Sequence, residues 1–373
     1  MRALPISFVL PIFALFFRAL VLLSYESAPV KAGGPMSLTL EQVAKLAGVS
    51  RSAVSRVIND SPNVRPEVRE RIWQVIRENN YQPHQAARTL VTRRTNAIGL
   101  IIPEAVARLF TDPFFPQLTQ GVAEVCNQRG YYLMLTVMTA NTDHDSLYRR
   151  ILHSGLLDGV IVASAPLNDP IVPRLQESHR PCVLVGHHPD YPKIPSVDVD
   201  NVAGSKSMTE YLISLGHRRI GAITGPLGMI AGRDRLEGYR QALAQAGIAY
   251  DEALAAKADF SEAGGARAME QLLPAAPTAV FCASDVMAVG ALKTLAQAGR
   301  RVPEDVSVAG YDDVPVATMV NPQLTTVQQS VVDLGRVAAE MLIRLLELPG
   351  TTVRSQLLST HLVVRQSTCT KSN

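Results

Sequence analysis

The segment Leu38–Asn59, LTLEQVAKLAGVSRSAVSRVIN, restricts what this chain can fold into more than any other stretch. It spells two short helices joined by a tight turn. Thr39 and Gln42 have the spacing of a capping box, and Leu38 is placed to staple onto Val43. Apolar Leu40, Val43, Ala44 and Ala47 recur at helical spacing along one face. Gly48 follows, where a left-handed residue ends a helix without a Cβ penalty. Ser50 suits the N-cap of a second helix, with Val49 set to staple onto Val54. That helix buries Val54, Val57 and Ile58 and leaves Arg51, Ser52, Ser55, Arg56 and Asn59 on its polar side. Short polar and guanidinium side chains at a helix N-terminus suit base edges and phosphates in a DNA groove. A solvated amphipathic hairpin carries the same pattern, so this stretch alone leaves both readings open.

Charge distribution favours the first. The 373 residues carry a net charge of only +3. Residues 36–95, however, hold ten Lys/Arg against five Asp/Glu, and residues 96–373 are net acidic. A basic module beside an acidic body implies a polyanion partner for the module alone. The length calls for two or three domains, and 47% apolar content suits large cores. Cys126, Cys182, Cys282 and Cys369 lie far apart with no CxxC spacing, which predicts thiols of a cytoplasmic protein and no metal site.

Residues 1–35 are a separate problem. Leu4–Leu23 carries Arg18 as its only charge and is long enough to span a bilayer. It also has the outline of an export signal, with Arg2 as the positive end. Either would carry a DNA-binding module away from the chromosome. A third reading, favoured by MSLTLEQVAKLAG, makes Met36 the physiological start. The expectation is therefore no membrane association unless residues 1–35 are retained.

Pro66–Asn79 reads as a third helix with Pro66 at its first position and Val68, Ile72, Val75 and Ile76 inward; Trp73 helps close this core. Arg69, Arg71 and Arg77 fit a solvated face as well as phosphate contacts. Tyr81-Gln82-Pro83 breaks the helix, and His84–Val91 is too short to be a stable helix by itself.

The segments AGVSRSAVSRVIN, NVRPEVRERIWQVI and NYQPHQAARTLVTRRTNAIGLIIP together strongly resemble the lactose/galactose repressor (LacI/GalR) family, over about Leu38 to Gln366. The resemblance implies an all-α helix-turn-helix head and a hinge helix. These precede an α/β, two-lobed, periplasmic-binding-protein-like core with parallel doubly wound sheets. It divides the chain into an extension (1–35), a DNA-binding domain (36–83), a hinge and linker (84–95), an effector-binding and dimerisation domain (96–366) and a tail (367–373). The base-reading positions fall on Arg51 and Ser52, with Arg56 further along; Thr39, Ser50, Ser55, Asn59 and Tyr81 complete the expected DNA-binding set. The hinge positions fall on Ala87, Arg88 and Leu90, where an apolar wedge unstacks a base step and bends the duplex. One departure is Arg65, which stands where a Ser-like cap is usual; losing that cap costs helix three about 1 kcal/mol.

From Asn96 onward the residues themselves predict the architecture. Ala97–Ile102, Tyr132–Val137, Gly159–Ala163 and Cys182–Gly186 are apolar strand runs separated by helices; Arg219–Thr224, Thr278–Ala283 and Val306–Gly310 form a second set. Continuous apolar strands alternating with helices mean parallel sheets covered on both faces. Two sets give two lobes, with the ligand in the cleft at the strands' carboxyl ends. By resemblance, lobe 1 takes residues 96–197 and 330–353 and lobe 2 residues 198–328 and 355–366. Crossings then fall near Val197–Asp200, Gln328–Ser330 and Val353–Ser355.

Candidate effector residues follow strand ends. Phe114 and Phe115 are placed to stack on a ring, with at least one expected in the core. His187 and His188 lack a third ligand and suit a cleft wall better than a metal. Arg235, before Leu-x-Gly, is by resemblance the residue that reaches ligand hydroxyls or carboxylates, and a guanidinium fork suits that task. Phe260, Ser284, Asp285 and Asp312 complete the set, Asp312 as a carboxylate for vicinal hydroxyls, while Asp313 reads as a turn cap. The segment from Pro103 to Asp112 is longer than the usual family loop.

The expected function is therefore a sequence-specific transcriptional regulator, a repressor, working as a homodimer on double-stranded palindromic operator DNA. A small-molecule effector, by default a carbohydrate and otherwise a purine, controls it. The alternative, an exported solute-binding protein for transport, gains from residues 1–35 but leaves Leu38–Asn59 without a use. No G-x-G-x-x-G after a strand, P-loop or G-x-S-x-G is present, so neither catalysis nor a cofactor is expected.

Overall fold

The computed structural model describes residues 38–58, 61–81, 94–139 and 142–371. They fall into two compact units divided between Thr92 and Arg93.

In the first unit, α1 (Leu40–Ala47), α2 (Arg51–Ile58) and α3 (Pro66–Glu78) surround a core of Val43, Ala47, Val54, Val57, Ile72 and Ile76, with Trp73 packed against it. The capping box forms: Gln42 N donates to Thr39 Oγ1, and Thr39 N donates to Gln42 Oε1 at 2.7 Å. Gly48 takes φ 63° and its N–H donates to the carbonyls of Ala44 and Lys45, closing α1 with the backbone only glycine adopts cheaply. Ser50 Oγ accepts from Ala53 N and so caps α2. Arg65 precedes Pro66 with no side-chain cap, as its residue type dictates.

The second unit opens with β1 (Ala97–Ala105), α4 (Val106–Thr111), α5 (Phe114–Gln128), β2 (Tyr132–Met138), α6 (His144–His153), β3 (Gly159–Ala163), α7 (Ile171–Ser178), β4 (Cys182–Val185) and β5 (Ser196–Val199). It continues with α8 (Asn201–Ser214), β6 (Ile220–Thr224), α9 (Ile230–Gln245), β7 (Ala255–Lys257), α10 (Glu262–Leu272), β8 (Ala279–Cys282), α11 (Asp285–Gln297), β9 (Ser307–Ala309) and α12 (Val316–Met319). Last come β10 (Thr326–Gln328), α13 (Val331–Glu347), β11 (Gln356–Leu358) and β12 (His361–Val363).

The strands make a parallel sheet ordered β11-β5-β4-β3-β1-β2, a second parallel sheet ordered β7-β6-β8-β9 and an antiparallel β10–β12 pair. Helices α5 and α13 cover one face of the first sheet, and α6 and α7 the other. The second sheet is enclosed likewise, by α10 and α11 on one face and α8 and α9 on the other. Each sheet reverses winding direction beside its first strand, at β1/β3 and at β6/β8, and a crevice opens beyond the strand ends there.

Two expectations need correction. The third lobe crossing does not lie near Val353–Ser355: β11 pairs with β5, Leu358 opposite Val199, so the chain stays in lobe 1 through Leu358. Residues 367–371 are no free tail. Ser367 Oγ donates to Val308 O at 2.6 Å, and Lys371 N donates to Leu215 O. Both errors have one cause, since short polar segments are placed by hydrogen-bond partners in distant stretches of the chain.

Helices α5 and α13 meet at glycines. A Cβ on Gly121 would collide with the carbonyl oxygen of Val332, and one on Gly335 with that of Leu118. Both obstacles are backbone and cannot rotate away. Gly121→Ala should therefore lower unfolding free energy by about 1–3 kcal/mol despite alanine's better helix propensity. Equal or higher stability in urea denaturation would refute this packing.

Candidate effector cleft and DNA-reading head

On the head, Arg51, Ser52 and Arg56 are exposed on α2, and Ser55 is half-buried. Arg51 makes an exposed ion pair with Glu41 at 3.4 Å, a contact weak enough to be exchanged for phosphate or base. Ser50 and Ser52 share a hydroxyl hydrogen bond of 2.9 Å. Tyr81, expected at the DNA surface, is instead 5% exposed within the head's core, and burial pushes its phenol up from its usual range. Its backbone N–H donates to Ile76 O, which folds the ring back against α3. Asn59, Ala87, Arg88 and Leu90 lie outside the described residues.

The second unit contains a cleft of about 890 Å3, its mouth included, between the two lobes. Its walls come from where the sheets reverse: Phe114 beyond β1, Ser164 beyond β3, Met229 beyond β6 and Ser284 beyond β8. Phe114, Phe115, His187, Arg235, Phe260, Ser284 and Asp312 all line it. Phe114 and Phe115 meet edge to face, ring centroids 5.5 Å apart, and Phe115 is the core member of the pair.

Arg235 anchors the floor. Its Nε donates to Asn201 Oδ1 at 2.8 Å; its Nη1 donates to Ala283 O at 2.6 Å and to Asp312 Oδ1 at 3.1 Å. The guanidinium carbon lies 3.7 Å from the Tyr311 ring centroid, a cation–π contact. Asp312 Oδ1 also accepts from Gln329 Nε2 at 2.5 Å. Asp312 sits at φ 110°, a strained conformation for a side-chain-bearing residue, and such strain collects at ligand sites. Asp312 Oδ1 thus accepts from both Arg235 Nη1 and Gln329 Nε2, and the pair lies in the lining of the cleft. Burial pushes the Asp312 carboxyl up to about 6; Arg235 opposes the rise and Asp112 adds to it.

His187 and His188 face different partners. His187 Nδ1 lies 2.9 Å from Asp198 Oδ2, and that hydrogen bond holds the imidazole pKa above its ordinary value. His188 is buried, with Nε2 3.0 Å from Leu167 O. Asp198 Oδ1 accepts from Asn201 Nδ2 at 3.2 Å. A continuous polar chain thus runs His187–Asp198–Asn201–Arg235–Asp312–Gln329 from one lobe to the other.

Asp285, expected in the cleft, is directed away from it. It is fully buried, accepting from Thr326 Oγ1 at 2.6 Å and Val314 N at 3.0 Å, and burial raises its carboxyl well above the usual range. It fastens the turn carrying Asp312. Asp313, read as a turn cap, accepts from Arg365 Nη2 at 2.6 Å. Sequence reasoning passed over Asp198, Asn201 and Gln329, which also line the cleft. The available signal was their place at two lobe crossings, where any side chain borders the cleft.

Residues 39–84 match the family described as bacterial regulatory proteins, lacI family, and residues 209–368 match the periplasmic binding protein-like domain. The HTH-type transcriptional regulator CelR of Thermobifida fusca is 43% identical over 333 residues, covering 88% of this chain and 98% of its own length. The chain belongs to the lacI family of bacterial regulatory proteins. Among solved structures, a CelR–cellobiose complex is 40% identical with a TM-score of 0.71, covering 88% of this chain and 99% of that one. The lac repressor dimer bound to operator and an anti-inducer is 28% identical with a TM-score of 0.78, covering 89% and 99%. As a lacI-family member the chain is a DNA-binding transcriptional regulator under small-molecule control, neither an enzyme nor a transport receptor. Among the described residues no helix is long and apolar enough to cross a membrane.

The raised carboxyl of Asp312 has a stability consequence. Between its ordinary value, near 4, and about 6, the folded state holds a proton that the unfolded state has released, so this group's contribution falls as pH rises through that window. The stability difference between wild type and Asp312→Asn should therefore move toward the variant from pH 4 to pH 7. A difference constant with pH would contradict the titration.

Proposed function

We propose that this protein is a cytoplasmic repressor that binds palindromic operator DNA as a homodimer and takes a carbohydrate effector between its lobes. The observation that carries the effector's class is the Arg235–Asp312 pair, in contact at 3.1 Å in the lining of the cleft. A guanidinium N–H beside a carboxylate oxygen matches adjacent hydroxyls, which both accept and donate. The phenyl rings of Phe114 and Phe260 supply apolar faces for the C–H side of a pyranose. Cellobiose, held by the similar CelR structure, is the first candidate ligand.

On the DNA side, Arg51, Ser52 and Arg56 read base edges, with Thr39, Ser50 and Ser55 placing backbone phosphates. Residues 36–83 form the head, 84–95 the hinge, and Leu90 wedges the minor groove from Ala87 and Arg88 onward. Residues from 96 onward bind the effector and dimerise. Ligand in the cleft changes lobe closure, and the effector and operator then alter each other's affinity by the same factor.

Operator selected from random duplexes tests this reading directly. Its affinity should fall steeply between low and physiological salt, as counterion release requires. Arg51→Ala should lose specific binding or change the preferred sequence. Arg235→Ala should still bind operator yet lose the response to cellobiose; an unchanged response would remove the site from this cleft.

A further inference from the structure

We infer that Arg108 is a specificity-determining residue, selecting an effector with a second sugar ring over a single monosaccharide. This rests on the carbohydrate reading and extends it along the cleft. Arg108 lies on α4, the short helix between the end of β1 and the start of α5. Its side chain reaches the cleft wall and faces the opposite lobe, its guanidinium carbon 5.6 Å from the centroid of the Phe260 ring. Arg235 stands 6.0 Å from the same centroid. One aromatic ring thus has a guanidinium group from each lobe within 6.0 Å of its centroid.

Phe260 is held firmly for such a task. It adopts φ 63°, and any Cβ at Gly225 would collide with its ring. A sugar whose first ring engages Arg235 and Asp312 and which continues past Phe260 meets Arg108 next. Arg108 is the shallower of the two cations, its side chain 22% exposed against 5% for Arg235.

Ion pairing alone does not account for Arg108. Nη1 contacts Glu104 Oε1 at 3.1 Å and Nη2 lies 4.0 Å from Asp112 Oδ2, yet Nε is buried and has no hydrogen-bond partner among the described residues. A buried N–H donor without an acceptor is a standing free-energy cost, which a small shift of the side chain toward a ligand oxygen would relieve. Glu104 and Asp112 also decide the ligand's charge. Both carboxylates pair with the Arg108 guanidinium, so its charge is already met and a neutral hydroxyl is a better match than a phosphoryl group.

Calorimetric titration of the full chain with cellobiose, glucose and glucose 6-phosphate tests the assignment. Wild type should bind cellobiose more tightly than glucose and discriminate against the phosphate. Arg108→Gln should lower the cellobiose-to-glucose affinity ratio at least tenfold. Arg108→Lys, which keeps the charge but lacks Nε and the planar fork, should lower it by less, and serves if the glutamine variant does not fold. Variants that keep the wild-type ratio overturn the role of Arg108 while leaving the carbohydrate reading intact. Wild type that prefers glucose, or prefers glucose 6-phosphate, also overturns it. Binding of none of the three refutes the assignment and the cellobiose reading together.

Discussion

The buried pair of Arg235 and Asp312 is the contact on which the effector cleft depends. Two charges taken out of water are costly unless every remaining donor and acceptor finds a partner. Asn201, the Ala283 carbonyl, Gln329 and the face of Tyr311 meet most of that demand. Two of those partners lie where the chain passes between lobes. Asn201 begins α8 just after β5, and Gln329 lies between β10 and α13. Any ligand that meets this pair in the cleft therefore acts on groups tied to both crossings. A ligand shifts a two-state equilibrium only through unequal contacts with the two states, and crossings are where lobe opening and closing differ most.

Helix α13 carries the same logic to the other end of the unit. Leu334, in its first turn, borders the cleft, while near its far end the Leu346 carbonyl accepts a hydrogen bond from Arg94 at 2.8 Å. Arg94 is the first described residue of the second unit. Thr95 and Asn96 follow, their backbone N–H groups held by the carboxylate of Asp158. Between its ends α13 is seated against α5 through glycines that admit no Cβ. The helix thus connects the effector cleft with the point where the linker enters the core.

The head was legible almost residue by residue because its determinants are local. Caps, the left-handed Gly48 and the 3.6-residue apolar stripe act within a few positions of one another. Strands β1, β3, β4, β6 and β8 were equally legible, as uninterrupted apolar runs buried on both faces. Strands β5, β7, β10, β11 and β12 were not. They are three or four residues long, and residues such as Asp198 and Gln356 within them carry no strand signal. Asp285 and Asp312 look alike as aspartates after a strand. Backbone geometry separates them, turning Asp312 to the cleft at φ 110° and Asp285 into the protein behind it. Tyr81 misled for the opposite reason: an aromatic beside a basic module suits DNA equally well, and only the fold shows its ring enclosed.

From the sequence alone follow a basic helical reading head, a break, and two alternating α/β lobes with a ligand site at their strand ends. These are properties of short windows and of periodicity, and short-range sterics and burial suffice to set them. The tertiary structure alone decided which polar side chains converge. The path from His187 to Gln329 gathers residues from five separate stretches of chain, and the pairing of β11 with β5 brings together segments more than 150 residues apart in sequence. Such contacts depend on how two sheets are wound and where the chain crosses between them. No local pattern encodes that, because the energy that fixes it is shared among distant segments rather than held by any one of them.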